Sequence, residues 1–199
     1  MADISIDEIK RLRGLTGVGI TDAKAALVEA GGDFDKALAA MRKKGLTKAE
    51  KRGEREARAG LIGSYNHDNR IGVLVEVNCE TDFVAKTDEF QSLVKDIAMH
   101  IAAAAPEYVG AGDIPADAKK VLEAEYKEKA AAEGKPADMV AKIVEGQVKK
   151  HFAEKCLLDQ PFVKNPDQTV ADVVKEANAK LGENVVVRRF TRMALGEVN

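Results

Sequence analysis

Residues 61–78 read LIGSYNHDNRIGVLVEVN. Two runs, Leu61 to Tyr65 and Arg70 to Asn78, flank Asn66-His67-Asp68-Asn69. That connection is rich in turn formers, so the pair reads as a β-hairpin. In its second arm Ile71, Val73, Val75 and Val77 fall on one face, the alternation of a strand packed on one side. Downstream, Phe90, Leu93, Val94, Ile97, Ile101 and Ala104 recur at helical spacing from about Thr87, and Pro106 ends that helix. A helix at 169–181 and a strand at 184–194 close the chain, and the strand most simply joins the hairpin as a third antiparallel strand. Strands and helices that segregate in this way give the α+β class, a three-stranded antiparallel sheet packed by helices.

Working outward toward the start, residues 1–45 read as three short helices. Ser5-Ile6-Asp7-Glu8 is a capping box, and Ile6, Ile9, Leu12 and Leu15 follow at helical spacing. Gly14, Gly17 and Gly19 break the chain. Thr21 or Asp22 is expected to cap a second helix that buries Ala23, Ala26, Leu27 and Ala30. Gly31-Gly32 stops it, Asp33 caps a third, and Phe34, Ala37, Leu38 and Met41 form its inner face. Three helices this short make a small bundle of the ubiquitin-associated type. Three segments are therefore expected: this bundle at 1–45, a charged linker at 46–59 and a sheet-and-helix core at 60–199. Within the core, residues 116–155 read as a projecting helical hairpin broken at Gly134-Lys135-Pro136. Tyr126 on one arm and Val140, Ile143, Val144, Val148 and Phe152 on the other can pair across it.

The bulk numbers narrow the function classes. In 199 residues, 45% are hydrophobic and 32% charged, enough to bury an ordinary core. A net charge of -2 argues against general nucleic-acid binding. The stretch 42–58 holds eight Lys or Arg against three Glu, but no aromatic residue is interleaved to stack a base, so it reads as a solvated helical linker. Two cysteines cannot form a disulfide framework and suit a reducing compartment. No apolar run approaches the ~20 residues of a membrane span, and the first residues lack a signal-peptide pattern, so a cytoplasmic protein is expected.

A search for chemistry finds no convincing active site. Gly14-Leu15-Thr16-Gly17-Val18-Gly19 lacks both a preceding strand and a following Gly-Lys-Ser/Thr, so a turn between helices explains it better than a phosphate loop. His67, His100 and His151 lie in a turn and on two separate helices, none with a second ligand at metal spacing. Cys79 and His100 as nucleophile and base have no supporting signature. A chain without catalysis, metal or cofactor is expected.

The sharpest feature is the step from strand to helix, Glu76-Val77-Asn78-Cys79-Glu80-Thr81-Asp82-Phe83-Val84-Ala85-Lys86. Thr81-Asp82 is helix-cap chemistry, and Phe83 with Val84 suits a core. Yet Thr87-Asp88-Glu89 supplies a second cap just before the long apolar stripe. One helix needs one start, which leaves Thr81-Asp82-Phe83 in a short connecting element at a sheet edge, where functional residues concentrate. On the residues alone, interior filler and presented tip both stay open.

At these residues the chain resembles the elongation factor Ts family. LRGLTGVGITDAKAAL at 12–27 is similar to the family's N-terminal signature. EVNCETDFVAK at 76–86 is similar to its Glu-Val-Asn-Cys-Gln-Thr-Asp-Phe-Val-Ala-Lys run, with Glu80 in place of the commoner Gln. IAMHIAAAAPEYV at 97–109, GKPADMVAKIVEG at 134–146 and QPFVKNPDQTV at 160–170 extend the match along the chain in order. The resemblance implies a guanine nucleotide exchange factor that promotes GDP release from elongation factor Tu. Thr81, Asp82, Phe83 and Val84 would enter the GTPase beside the nucleotide and dislodge its magnesium ion. Arg13, Ile20 and Thr21 would touch the GTPase domain, with Ile20-Thr21 standing where many members carry two methionines. Longer members carry a second core subdomain; the resemblance implies that a short form restores it by dimerising into a two-to-two complex, with Val185, Val186, Val187 and Phe190 as the apolar surface. The alternatives are a non-catalytic helical adaptor that uses the N-terminal bundle, and an RNA-associated protein that uses residues 42–58.

Overall fold

The structure, a computed structural model, describes residues 4–16, 19–133 and 137–197, without the side chains at 42, 45–51, 137 and 138. Its elements in order are α1 (Ile6–Thr16), α2 (Ile20–Glu29), α3 (Phe34–Arg52), β1 (Ala59–His67), β2 (Ile71–Cys79), α4 (Asp82–Ala85), α5 (Asp88–Ala104), α6 (Ala116–Ala132), α7 (Ala137–Lys155), β3 (Pro161–Phe162), β4 (Asn165–Thr169), α8 (Val170–Leu181) and β5 (Val186–Ala194). The chain divides into two compact units. One holds residues 1–63, 75–96 and 172–188, the other 64–74, 97–171 and 189–199. Strands β1, β2 and β5 form one sheet in that order. The tight turn makes β1 and β2 antiparallel, and the bond from Leu195 N–H to the Arg70 carbonyl at 2.8 Å sets the end of β5 against the start of β2, the antiparallel sense.

In the first unit, α1, α2 and α3 close around Ile9, Leu12, Ala23, Ala26, Leu27, Ala37 and Met41. The Ser5–Glu8 capping box forms, with Glu8 N–H donating to Ser5 Oγ at 3.1 Å and Ser5 N–H to Glu8 Oε2 at 3.2 Å. Ile6 and Leu15, expected in the apolar stripe, are exposed. Residues nine apart on a helix at about 100° per residue stand on opposite sides, so only the middle pair, Ile9 and Leu12, faces the core. Helix α2 starts earlier than expected: Gly19 is its N-cap, with no side-chain cap bond, and Thr21 and Asp22 lie in its first turn. Gly17 and Val18 of the expected turn between helices lie outside the described residues. Gly31 and Gly32 take φ of 65° and 88° and end α2, with Gly32 N–H on the Leu27 carbonyl at 2.9 Å. Asp33 Oδ1 accepts Lys36 N–H at 3.0 Å, and that bond holds the Asp33 carboxyl below the ordinary carboxylate value. Helix α3 then continues through Arg52, so part of the expected linker is helical.

In the second unit the hairpin turns at Asp68 and Asn69, both at positive φ (50° and 55°), as a primed turn requires. Asn66 Oδ1 accepts Asn69 N–H at 2.9 Å and pins the turn. Helices α6 and α7 form the expected antiparallel pair. Ile114, Phe152 and Cys156 are its buried core, flanked by Tyr108, Ala118, Leu122 and Val148. The expected break at 134–136 lies outside the described residues. Beyond α7, β3 and β4 form a two-stranded antiparallel sheet.

Candidate functional site

Strand β2 runs into the candidate site with Val73, Val75 and Val77 buried, which fixes the phase of Asn78 and Cys79 at its end. Asn78 Nδ2 donates to the Ala59 carbonyl at 3.2 Å, tying the strand end to β1. The chain then starts helix twice, as the two caps predict. Thr81 is extended (φ −133°, ψ 151°), and its Oγ1 accepts Val84 N–H at 3.4 Å to open the four-residue α4. The Thr87 hydroxyl donates to the Val84 carbonyl at 2.7 Å, closing α4, and accepts Phe90 N–H at 3.3 Å, opening α5.

So short a helix has room for one inward side chain. Ala85 takes it and is buried, while Val84 is half-buried. Phe83 points away and is 88% exposed; Phe90, seven residues on, is 0% exposed and carries the aromatic packing for α5. Thr81 and Asp82 are also exposed. Of the two readings of this element, interior filler is therefore excluded for the ring: a phenyl group stands in water between an acid and a valine.

The tip is braced by residues that sequence reasoning did not single out. Glu80 N–H and Thr81 N–H both donate to Glu183 Oε2 at 3.0 Å, and the Thr81 hydroxyl donates to Glu183 Oε1 at 2.6 Å. In return Glu80 Oε1 accepts Asn184 N–H at 2.7 Å, and Glu80 Oε2 lies 3.6 Å from Arg55 Nη1. Glu80 and Glu183 are 103 positions apart, and nothing in the local pattern near Glu183 beyond a glycine after α8 marks it. A Gln at position 80 would still offer the acceptor oxygen to Asn184, so the departure from the commoner family residue keeps this brace.

Arg13, Ile20 and Thr21 are exposed on the last turn of α1 and the first turn of α2. Arg13 shares a shallow depression with Lys10, Gly14, Glu89 and Lys180, the last two paired at 2.6 Å. These residues and the tip belong to the same compact unit.

The remaining reactive groups are engaged. Burial, and then the Glu183 carboxylate, push the Cys79 thiol above its ordinary value; burial does the same to Cys156. His100 is fully buried, with Nε2 3.0 Å from Gln160 Oε1 and Nδ1 accepting Val163 N–H at 3.3 Å, so neither nitrogen is free to act as a base. Among the described residues no three His, Cys, Asp or Glu side chains gather as a metal site, and no helix is long and apolar enough to cross a membrane. The apolar surface expected on β5 is corrected: Val185 and Val187 turn into the chain's own interior, leaving Val186 and Met193 as the exposed apolar residues of that strand.

Comparison with known proteins agrees with the resemblance. Residues 46–197 match the family described as elongation factor TS. The chain is 54% identical over 198 residues to elongation factor Ts of Carboxydothermus hydrogenoformans, covering 98% of this chain and 90% of that one. It is 51% identical over 195 residues to that of Geobacter sp. strain M21, again covering 98% and 90%. The corresponding figures for Heliobacterium modesticaldum are 53% over 190 residues, covering 95% and 88%.

Proposed function

The chain belongs to the elongation factor Ts family, a family of translation elongation factors, and on that premise we propose that it is the guanine nucleotide exchange factor of elongation factor Tu. The observation that carries the proposal is the ring of Phe83, 88% exposed on a doubly capped four-residue helix. An aromatic side chain left in water is a large unspent burial energy, and such anchors dominate protein interfaces.

In this mechanism Thr81, Asp82, Phe83 and Val84 enter the GTPase beside its nucleotide. Bound magnesium neutralises phosphate charge there, so displacing the ion weakens the hold on GDP. Asp82 adds negative charge that repels phosphate, and Phe83 supplies the burial that drives entry. Arg13, Ile20 and Thr21 hold the GTPase domain from the N-terminal bundle. Linkage makes the effect mutual: a factor that loosens GDP is itself loosened by GDP, to the same ratio. The factor makes and breaks no bond, requires no cofactor of its own and works in the cytoplasm. A homodimer, giving a two-to-two complex, finds support in Ile62 and Val186, exposed apolar residues on β1 and β5.

The test is release of labelled GDP from elongation factor Tu with and without this protein, run beside a solution mass measurement. Acceleration at catalytic amounts of the factor supports the proposal. An unchanged release rate rejects it.

A further inference from the structure

We propose that Glu183 is the positioning residue of the exchange tip, acting through Thr81 and the Glu80 backbone rather than touching the partner; this rests on the exchange reading above. Strand β2 ends at Cys79 and α4 begins at Asp82, so the direction of Phe83 depends on the two residues between. Left to themselves, Glu80 and Thr81 would sample many backbone states. Three donors on these two residues converge instead on one carboxylate, at 3.0, 3.0 and 2.6 Å. Charge-assisted bonds to two consecutive residues fix both peptide planes at once.

Glu183 is itself held from both sides. Gly182, at φ 78°, ends α8 and donates to the Asn178 carbonyl at 3.1 Å, and Val185 N–H donates to Asn178 Oδ1 at 2.9 Å. Asn184 returns a bond to Glu80 Oε1 and sends its Nδ2 to the Gly53 and Arg55 carbonyls at 3.3 and 2.7 Å. Glu183-Asn184 thus grips the tip with one residue and the chain leaving α3 with the other. Beyond the buried Ala85 and the bond from the Cys79 thiol to the Thr81 carbonyl at 3.2 Å, the tip offers little grip of its own, since Thr81, Asp82 and Phe83 are all exposed. A wedge that must find a metal and phosphate pocket loses rate steeply with small errors of aim.

The experiment follows the rate of labelled-GDP release against factor concentration for wild type, Glu183→Ala, Glu183→Gln and Phe83→Ala, with thermal melts of each. Partly freeing the two residues, which keep the Glu80–Asn184 and Thr81–Val84 bonds, should cut the saturating rate of Glu183→Ala about ten- to thirtyfold. The half-saturating concentration should move less than about threefold, because the bundle contacts are untouched. A merely structural role gives the opposite split, since loss of folded protein shifts half-saturation and spares the plateau. Glu183→Gln should recover the plateau: its oxygen accepts both N–H groups, and its amide donates to Thr81 Oγ1, which reverses its role. A folded Glu183→Ala with a wild-type plateau overturns the proposal, as does a Glu183→Gln plateau as low as that of Glu183→Ala. If Glu183→Ala does not fold, Glu183→Asp, one methylene short, takes its place under the same criterion. Phe83→Ala separates the two readings: wild-type release at every factor concentration there sinks the exchange tip itself. A slow Phe83→Ala beside a fast Glu183→Ala sinks only the role of Glu183.

Discussion

Truncating Phe83 to alanine should cost activity and leave stability alone, and the size of both effects follows from where the ring stands. A phenylalanine side chain carries roughly 150–200 Å² that packing can bury. With 88% of Phe83 in water, docking the ring at about 25 cal/mol per Å² is worth roughly 3–4 kcal/mol before ordering costs. Allowing for those costs, about 3 kcal/mol remains, in the range of interface hot spots, which is a factor of about 150. The second-order rate constant for GDP release by Phe83→Ala should therefore fall about a hundredfold. It is read by stopped-flow release of a fluorescent GDP from elongation factor Tu at sub-saturating factor. The folded chain loses almost no contact, so its unfolding free energy in urea should stay within about 0.5 kcal/mol of wild type. Phe90→Ala is the internal contrast: that ring is fully buried, and its loss should cost about 3–5 kcal/mol of stability. A Phe83→Ala protein that exchanges at the wild-type rate, or that is destabilised as much as Phe90→Ala, would rule out an exposed ring that docks on the partner.

Gly60 takes φ 142°, and a Cβ there would lie 2.2 Å from the Val77 carbonyl oxygen and 2.7 Å from Asn78 Cα, whereas Gly72 has nothing within 4 Å. Gly60→Ala should therefore lower the melting temperature by at least about 6 °C and Gly72→Ala by less than about 3 °C, and equal shifts would contradict this account. Burial lowers the His100 pKa below its ordinary 6.5, so the folded chain binds fewer protons at that site than the unfolded chain. Stability from this site is complete above about pH 6.5 and is lost as pH falls below it. The urea midpoint should drop between pH 7.5 and 5.5, and drop less in His100→Gln. Cys79 and Cys156 are buried with raised thiol pKa values, so Ellman's reagent should find neither in the native protein and both in guanidinium.

What the sequence makes legible is local and periodic. The Ser5–Glu8 box, the two caps at Thr81 and Thr87, the Asn66–Asn69 turn and the alternating valines of β2 are each short-range patterns with one physical outcome, and each forms. Facing is harder. The valines at 185–187 fit an outer or an inner face equally until the strand has a partner, and two of the three turn inward. For Phe83 the sequence states only that the residue is apolar. The four-residue length of α4, with Ala85 filling the single inward place, is what sends the ring outward. The pair β3–β4 escapes because β3 has only two residues and the NPDQT of β4 carries no apolar alternation. Glu183 escapes because its donors lie more than a hundred positions away in the chain. A carboxylate on a loop after a helix reads as surface until the fold brings the donors to it.

In the proposed complex the tip at Phe83 reaches the nucleotide site of its GTPase partner. This is tested most directly by placing a photoreactive benzoylphenylalanine at position 83, irradiating the protein with nucleotide-free elongation factor Tu, and mapping the adducts by mass spectrometry. The account predicts cross-links to the GTPase segments that line the phosphates and magnesium. Adducts confined to this chain, or to a partner surface remote from the nucleotide, would contradict it.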